Sequence, residues 1–179
     1  MTRIWVLDTC AVLEVRRCVV PTDSRQNYAK RRDAYAALAK LAAAGRLVFP
    51  KETLTELQDG HASVDDKQRD DPLTFAKGCK EHAMRHASLD TVKELLGHKL
   101  VQRVMEIDAE KDVADIYVLA LARDLQREGV EVGVLTQERI DSNKKISVNT
   151  ACGILGIVCL RMEAFLDQEN IWPWSKAAR

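Results

Sequence analysis

The chain has 179 residues, of which 46% are hydrophobic, and its 27 Lys and Arg residues balance 27 Asp and Glu residues. This size and apolar content suit one domain with a full core, so we expect a single domain over 1–179. Zero net charge argues against a surface coated for non-specific DNA binding, and no apolar stretch is long enough to span a membrane. Five scattered cysteines without a Cys-x-x-Cys motif, and an N-terminus without a signal-peptide pattern, favour a reduced, cytoplasmic protein.

The first predicted element is a buried strand. The run Ile4-Trp5-Val6-Leu7 has the apolar and aromatic content of such a strand, and it ends at Asp8, which Thr9 follows. In an open α/β sheet, ligands bind in the crevice beyond the carboxyl ends of the strands. A carboxylate at this point is therefore either a cap or part of a site.

The later elements alternate between helices and strands. The first half of the chain predicts a loop around Pro21, a helix from Ser24 to about 41–44 ended by Gly45, a strand at Leu47-Val48-Phe49, and a short helix at Glu52 to Leu57. A polar, helical segment at about 61–111 follows, with helices near 73–86 and 89–105. The rest predicts a helix from near Asp112 to Gly129, a strand at Val130 to Leu135, a short helix at Thr150 to Leu155, a strand at 157–160, and a helix at about 162–168. This alternation predicts an α/β fold with three α/β/α layers and a central parallel sheet.

Acidic residues recur where these elements begin or end. Asp8 follows the first strand, Glu56 lies in the short helix after the second, Asp115 lies near a helix start, and Glu138 follows the strand 130–135. Asp112 precedes Asp115 by three residues, so the two share a helical face. Each carboxylate alone has a plain structural explanation, as a cap, a helix-dipole partner or a solvated side chain.

Converging carboxylates repel one another unless a cation lies between them. The hard cations Mg²⁺ and Mn²⁺ prefer oxygen ligands, and two such ions about 4 Å apart can activate water and stabilise the leaving oxygen of a phosphodiester. This chemistry needs clustered Asp and Glu residues. It fits a chain without a Ser/His/Asp motif or a Gly-rich phosphate loop.

Four segments, in order, resemble those of PIN domains. Ile4-Trp5-Val6-Leu7-Asp8-Thr9 is similar to their opening strand, and Phe49-Pro50 with Leu54-Thr55-Glu56-Leu57 to the segment that carries their Glu. The run 114–122, Ala-Asp-Ile-Tyr-Val-Leu-Ala-Leu-Ala, resembles their Asp-containing, Ala-rich helix. Val134-Leu135-Thr136-Gln137-Glu138 resembles their late strand ending in Thr-x-Asp or Thr-x-Glu. The segments cover most of the chain, so the resemblance implies a single PIN-like domain.

The resemblance implies a metal-dependent endoribonuclease that hydrolyses RNA phosphodiester bonds, as the toxin of a VapC-type toxin–antitoxin pair. It also implies Mg²⁺ or Mn²⁺ as cofactor, an antitoxin partner and a homodimer, for which helix 89–105 offers a surface. The candidate site residues fall into three sets. They are the catalytic carboxylates Asp8, Glu56, Asp115 and Glu138; the metal ligands Asp8, Asp115 and Glu138 with Asp112 as a further ligand; and the polar supports Thr9, Thr136 and Asn149. Glu138 replaces the commoner Asp, and Asn149 stands where some PIN-like sequences carry a further Asp.

Other readings of the sequence stay open. Lys144 and Lys145, close to Glu138, are predicted to contact the RNA strand. A non-catalytic PIN-fold RNA-binding or regulatory module is the main alternative to an enzyme, and a phosphatase or DNA flap nuclease would use the same metals. Cys79, His82 and His86 have the spacing of three zinc ligands on one helix, but no spacing marks a fourth.

Overall fold

A computed structural model of the chain describes residues 3–18, 25–59, 70–105 and 113–171. Within these ranges it contains five strands and eight α-helices. In chain order they are β1 (Ile4–Leu7), α1 (Thr9–Cys18), α2 (Arg25–Ala43), β2 (Leu47–Pro50), α3 (Lys51–Asp59), α4 (Asp70–Ala83), β3 (Met84–Arg85), α5 (Leu89–Gly97), α6 (Val113–Arg127), β4 (Val132–Leu135), α7 (Val148–Leu155), β5 (Val158–Leu160) and α8 (Met162–Gln168). A short 3₁₀ helix, Val101–Val104, follows α5.

The five strands form one parallel sheet in the order β3-β2-β1-β4-β5. Trp5 of β1 pairs with Leu47 of β2 on one side and with Gly133 of β4 on the other. From β1, the strands β2 and β3 follow on one side of the sheet, and β4 and β5 follow on the other. The direction of the connections therefore reverses between β1 and β4. Such a switch point leaves a crevice beyond the carboxyl ends of the two strands, where α/β proteins bind ligands.

Alternating side chains of the strands divide the core into two layers. Trp5, Leu7 and Phe49 lie in one cluster, with buried residues from α1, α2, α4 and α8. Val6 and Val48, from the same strands, lie in the other cluster, with residues of α5, α6 and α7. This is the two-residue period of a sheet covered on both faces. The predicted three-layer α/β/α fold with a central parallel sheet is confirmed.

One predicted helix lies three residues earlier in the structure, another is shorter, and α1, β3 and the 3₁₀ helix were not predicted. The helix predicted at 73–86 ends at Ala83, because the next two residues form β3 and pair with Phe49 and Pro50 of β2. The helix predicted at 89–105 ends at Gly97, where the chain turns into the 3₁₀ helix. Helix α1, directly after Asp8, was not predicted, although its buried residues Ala11, Val12 and Val15 have helical spacing. Ser24 and the loop around Pro21 lie outside the described residues.

Gly45 ends helix α2 as the sequence predicts. Its φ angle is +71°, a left-handed conformation that favours glycine. Its N–H donates to Ala42 O at 2.9 Å, and Arg46 N donates to Leu41 O at 2.9 Å, so two carbonyls of the last turn are satisfied. Arg46 then leads into β2.

None of the helices in the described ranges has the length and apolar character that crossing a membrane requires.

Candidate functional site

A pocket of about 400 Å³ opens beyond the carboxyl ends of β1 and β4. It lies at the switch point of the sheet. Four of its lining residues are carboxylates that the sequence singles out. One directly follows β1, two lie in α3 and α6, and one lies in the segment after β4. The full lining comprises Asp8, Thr9, Cys10, Leu13, Glu56, Asp115, Gln137, Glu138 and Lys145.

Asp8 is the most buried of the four pocket carboxylates, with 3% of its surface exposed. Its backbone N–H donates to Leu135 O at 3.0 Å, which extends the pairing of β1 with β4 by one residue. Its Oδ2 accepts a hydrogen bond from Thr136 Oγ1 at 2.6 Å and another from Cys10 Sγ at 2.8 Å. The carboxylate is therefore fixed by the two strands that form the switch point.

Cys10 contributes a thiol to the pocket that the sequence did not mark as functional. Burial, and then the charge of Asp8, raise the pKa of this thiol, so it stays protonated and donates to Asp8. Its sulfur also accepts a hydrogen bond from Gln137 N at 3.1 Å. Its position two residues after Asp8, on the first turn of α1, is the one signal in the sequence that could have indicated this role.

Glu56 joins three elements through its two oxygens. Its Oε2 accepts a hydrogen bond from Thr9 Oγ1 at 2.6 Å, and its Oε1 accepts one from Ala114 N at 3.2 Å. Ala114 lies in the first turn of α6, so the Glu56 carboxylate satisfies one of the unpaired N–H groups at a helix N-terminus. This fixes the end of α6 that carries Asp115.

Two substitutions separate this structural role of Glu56 from its charge. We expect Glu56→Ala to lower the free energy of unfolding by about 1 kcal/mol, since it removes a helix-capping acceptor. Glu56→Gln keeps an acceptor oxygen and is expected to cost about half of that or less. Urea unfolding of both variants measures the difference, and equal losses would show that Glu56 does not cap α6.

Asp115 and Glu138 share the ammonium group of Lys145. Its Nζ lies 2.8 Å from Asp115 Oδ2 and 3.0 Å from Glu138 Oε1. Burial, and then the charges of Asp8 and Glu138, raise the pKa of Asp115, although Lys145 opposes them. Burial lowers the pKa of Lys145, and the two carboxylates more than reverse this, so its pKa is raised. Both shifts reflect dense negative charge in a partly dehydrated pocket.

The donor set of the pocket fits a hard divalent cation. Four carboxylates face one ammonium group, so negative charge is in excess, and carboxylate oxygens are ligands that Mg²⁺ and Mn²⁺ prefer. Within the described ranges, no three His, Cys, Asp or Glu side chains already form a metal-binding group. The carboxylates are instead engaged by Thr9, Thr136 and Lys145. Mg²⁺ commonly binds one or two carboxylates, several waters and a phosphate oxygen. It therefore does not need all of the carboxylates to be arranged as ligands in advance.

Residues 5–172 match the model of a protein family described as Domain of unknown function (DUF4411). The chain belongs to this family. No curated protein matches the chain. The DUF4411 match runs from β1 to just beyond α8, and it contains all four pocket carboxylates.

The other predicted site residues of this DUF4411 chain do not all line the pocket. Thr136 is fully buried against Asp8. Asn149 lies in the first turn of α7 and is not part of the pocket lining in the described structure. The first turn of α7 contacts the site through Val148, whose N–H donates to Glu138 Oε2 at 3.1 Å. Asp112 lies outside the described residues.

The two lysines predicted to contact RNA differ in whether they line the pocket. Lys145 lines the pocket, whereas Lys144 is exposed and its backbone N–H donates to Ser142 Oγ at 3.2 Å. The arrangement expected for a zinc site is absent from the described residues. Cys79 is buried in the core and His82 is exposed, while His86 lies beyond the end of α4.

Proposed function

We propose that this protein is a metal-dependent endoribonuclease that hydrolyses RNA phosphodiester bonds. The observation that carries the proposal is the gathering of Asp8, Glu56, Asp115 and Glu138 around one pocket at the switch point of a parallel sheet. They come from four separate parts of the chain. Each carboxylate alone could be explained as a helix cap. Capping does not explain why all four line the same pocket.

In this proposal Asp8, Asp115 and Glu138 hold the metal, with Asp112 as a further ligand. A bound Mg²⁺ or Mn²⁺ supplies positive charge against the phosphate and activates water for attack on phosphorus. Thr136 and Cys10 orient the Asp8 carboxylate by donating to its Oδ2. Thr9 and Ala114 N hold Glu56 at the pocket wall.

The charge of the pocket explains why the reaction needs a metal. An RNA phosphate is anionic, and four carboxylates would repel it at close range. Lys145 neutralises part of this charge, and a divalent ion would neutralise more. Phosphate oxygens would in turn complete the ligand set of the ion, so metal and RNA should bind more tightly together than separately.

The proposal extends to a biological role from the resemblance to PIN domains. The enzyme would be the toxin of a toxin–antitoxin pair in the cytoplasm, and the antitoxin would direct a basic side chain to the carboxylates. A homodimer would use α5, on which Leu89 and Leu96 are exposed at 64% and 41%. Exposed leucines on one helix face are suited to such a contact.

A fluorogenic RNA assay tests the activity. We expect cleavage in Mn²⁺ or Mg²⁺, a loss of cleavage to background after EDTA, and recovery when Mn²⁺ is added in excess. Without the metal, four carboxylates against one ammonium group would repel an anionic phosphate. A DNA strand of the same sequence serves as the competitor that distinguishes RNA from DNA cleavage. Cleavage that persists in EDTA, or no cleavage at any Mn²⁺ concentration, would contradict the proposal.

One observation favours a second candidate, a non-catalytic RNA-binding module. Lys145 already pairs with Asp115 and Glu138, so the pocket has a cation of its own. Such a module would bind the same RNA with equal affinity in Mn²⁺ and in EDTA, and it would leave the RNA intact. A filter-binding measurement beside the cleavage assay distinguishes the two candidates.

A further inference from the structure

Lys145 occupies a position in the pocket that a surface lysine would not take. Its side chain is 16% exposed, and the carboxylates that it contacts are similarly covered, at 14% for Asp115 and 29% for Glu138. Both contacts are within hydrogen-bond distance, at 2.8 Å and 3.0 Å. Hydrogen bonds between charged groups under such cover are strong, because water competes with them weakly.

The loop after β4 holds Lys145 at this position. Ser142 N donates to Lys145 O at 2.7 Å, and Lys145 N donates to Ser142 Oγ at 2.9 Å, which closes a tight turn. The carboxylate of Asp141 accepts hydrogen bonds from Ser147 N at 2.8 Å and from Thr150 Oγ1 at 2.9 Å, which fasten the turn to the start of α7. The backbone of Lys145 is thus fixed, while its long side chain keeps its rotatable bonds.

A divalent ion and this ammonium group compete for the same two carboxylates. An ion held by Asp115 and Glu138 would bind the two carboxylates that now pair with Lys145 through Asp115 Oδ2 and Glu138 Oε1. It must also overcome repulsion from a positive charge close by. Each divalent ion that binds therefore has to displace the ammonium group or tolerate its charge, and both lower the affinity of the pocket for the ion.

We propose that Lys145 is a built-in counter-ion that occupies Asp115 and Glu138 until a divalent ion displaces its ammonium group. This rests on the proposed function, in which the pocket takes a divalent ion. Lys145 keeps the gathered carboxylates from repelling one another without metal, and it sets the concentration of divalent ion at which the pocket fills. The protein then needs a higher concentration of divalent ion for activity than it would need without the charge of Lys145.

Lys145→Met tests this, because methionine keeps an unbranched apolar stem and removes the charge. Mn²⁺ binding is measured without RNA, from the electron paramagnetic resonance signal of free Mn²⁺. We expect Lys145→Met to bind Mn²⁺ at least tenfold more tightly than the wild type. The matched control is Lys144→Met, which removes the neighbouring exposed lysine and should leave the Mn²⁺ affinity within twofold. Equal or weaker binding by Lys145→Met would overturn the proposal.

A second measurement uses the wild type and does not depend on the folding of a variant. Acetic anhydride labels accessible lysines, and mass spectrometry of the peptides reports each site. Acetylation of Lys145 should increase at least threefold when Mn²⁺ saturates the protein, while that of Lys144 stays constant. Unchanged acetylation of Lys145 at saturating Mn²⁺ would contradict displacement.

The outcomes separate the two proposals. A wild type that binds Mn²⁺ and cleaves RNA, with an unchanged affinity in Lys145→Met, removes the counter-ion role and leaves the nuclease standing. Failure of both proteins to bind Mn²⁺, with or without RNA, removes the metal site and the counter-ion role together.

Discussion

Asp8→Asn is expected to reduce Mn²⁺-dependent RNA cleavage by at least about a hundredfold. Asp8 is 3% exposed, and both Thr136 and Cys10 donate to its Oδ2. Asparagine has the same shape, and its amide oxygen can still accept these hydrogen bonds, but it lacks the negative charge that a divalent ion requires. Initial rates with a fluorogenic RNA, at several Mn²⁺ concentrations, measure the loss.

The fold should survive this change. Removing one of four clustered charges relieves repulsion, so the thermal midpoint of Asp8→Asn should equal or exceed that of the wild type without metal. Asp33→Asn, on an exposed position of α2, is the matched control and should cleave RNA at the wild-type rate. A folded Asp8→Asn protein with full activity would remove Asp8 from the catalytic assignment.

Gly133→Ala is expected to lower the free energy of unfolding by about 3 kcal/mol. A Cβ at Gly133 would lie 2.4 Å from Cζ3 and 2.6 Å from Cε3 of Trp5, distances that packed carbon atoms do not adopt. Trp5 has no room to move, because it is completely buried and packs edge-on against Phe165 with ring centroids 5.6 Å apart. The thermal midpoint should fall by about 6–12 °C, since each kcal/mol shifts a chain of this size by about 2–4 °C.

Gly153→Ala is the matched control for that substitution. Gly153 lies within α7, and a Cβ there would meet nothing within 4 Å. Alanine should therefore raise the free energy of unfolding by about 0.5–1 kcal/mol, through its better helix propensity. Combining Gly133→Ala with Trp5→Phe should cost less than the sum of the two single changes, because the smaller ring makes room for the methyl group. Strictly additive losses would show that the two residues do not clash.

The order of strands and helices could be predicted because its signals are local. The apolar run 4–7, the glycine at position 45 and the Ala-rich run 114–122 each determine an element with little help from the rest of the chain. The two-residue strand β3 could not be predicted, since it is a strand through its pairing with Phe49 and Pro50. Helix α1 could have been predicted, since its buried residues Ala11, Val12 and Val15 have helical spacing.

The gathering of the carboxylates could be predicted in outline, because the carboxyl ends of parallel strands meet at one edge. The hydrogen-bond and ion-pair partners of these carboxylates could not be predicted. Thr136 reaches Asp8 through the register that pairs Leu7 with Leu135. Cys10 reaches Asp8 because the first turn of α1 brings its thiol back to the carboxylate. Lys145 was predicted to contact RNA, and its contact with Asp115 arises from a turn closed by Ser142. The catalytic and RNA-binding roles of these residues remain predictions.

The pairing of β1 with β4 has a consequence for the timing of synthesis. Asp8 and Thr136, which are in hydrogen-bond contact, are 128 positions apart in the sequence. At about 5–20 residues per second, a ribosome needs roughly 6–26 seconds to pass from one to the other. During that interval the nascent polypeptide holds Asp8 without the strand that fixes it. The proposed nuclease would therefore stay inactive beside the messenger being translated until almost the whole domain has emerged.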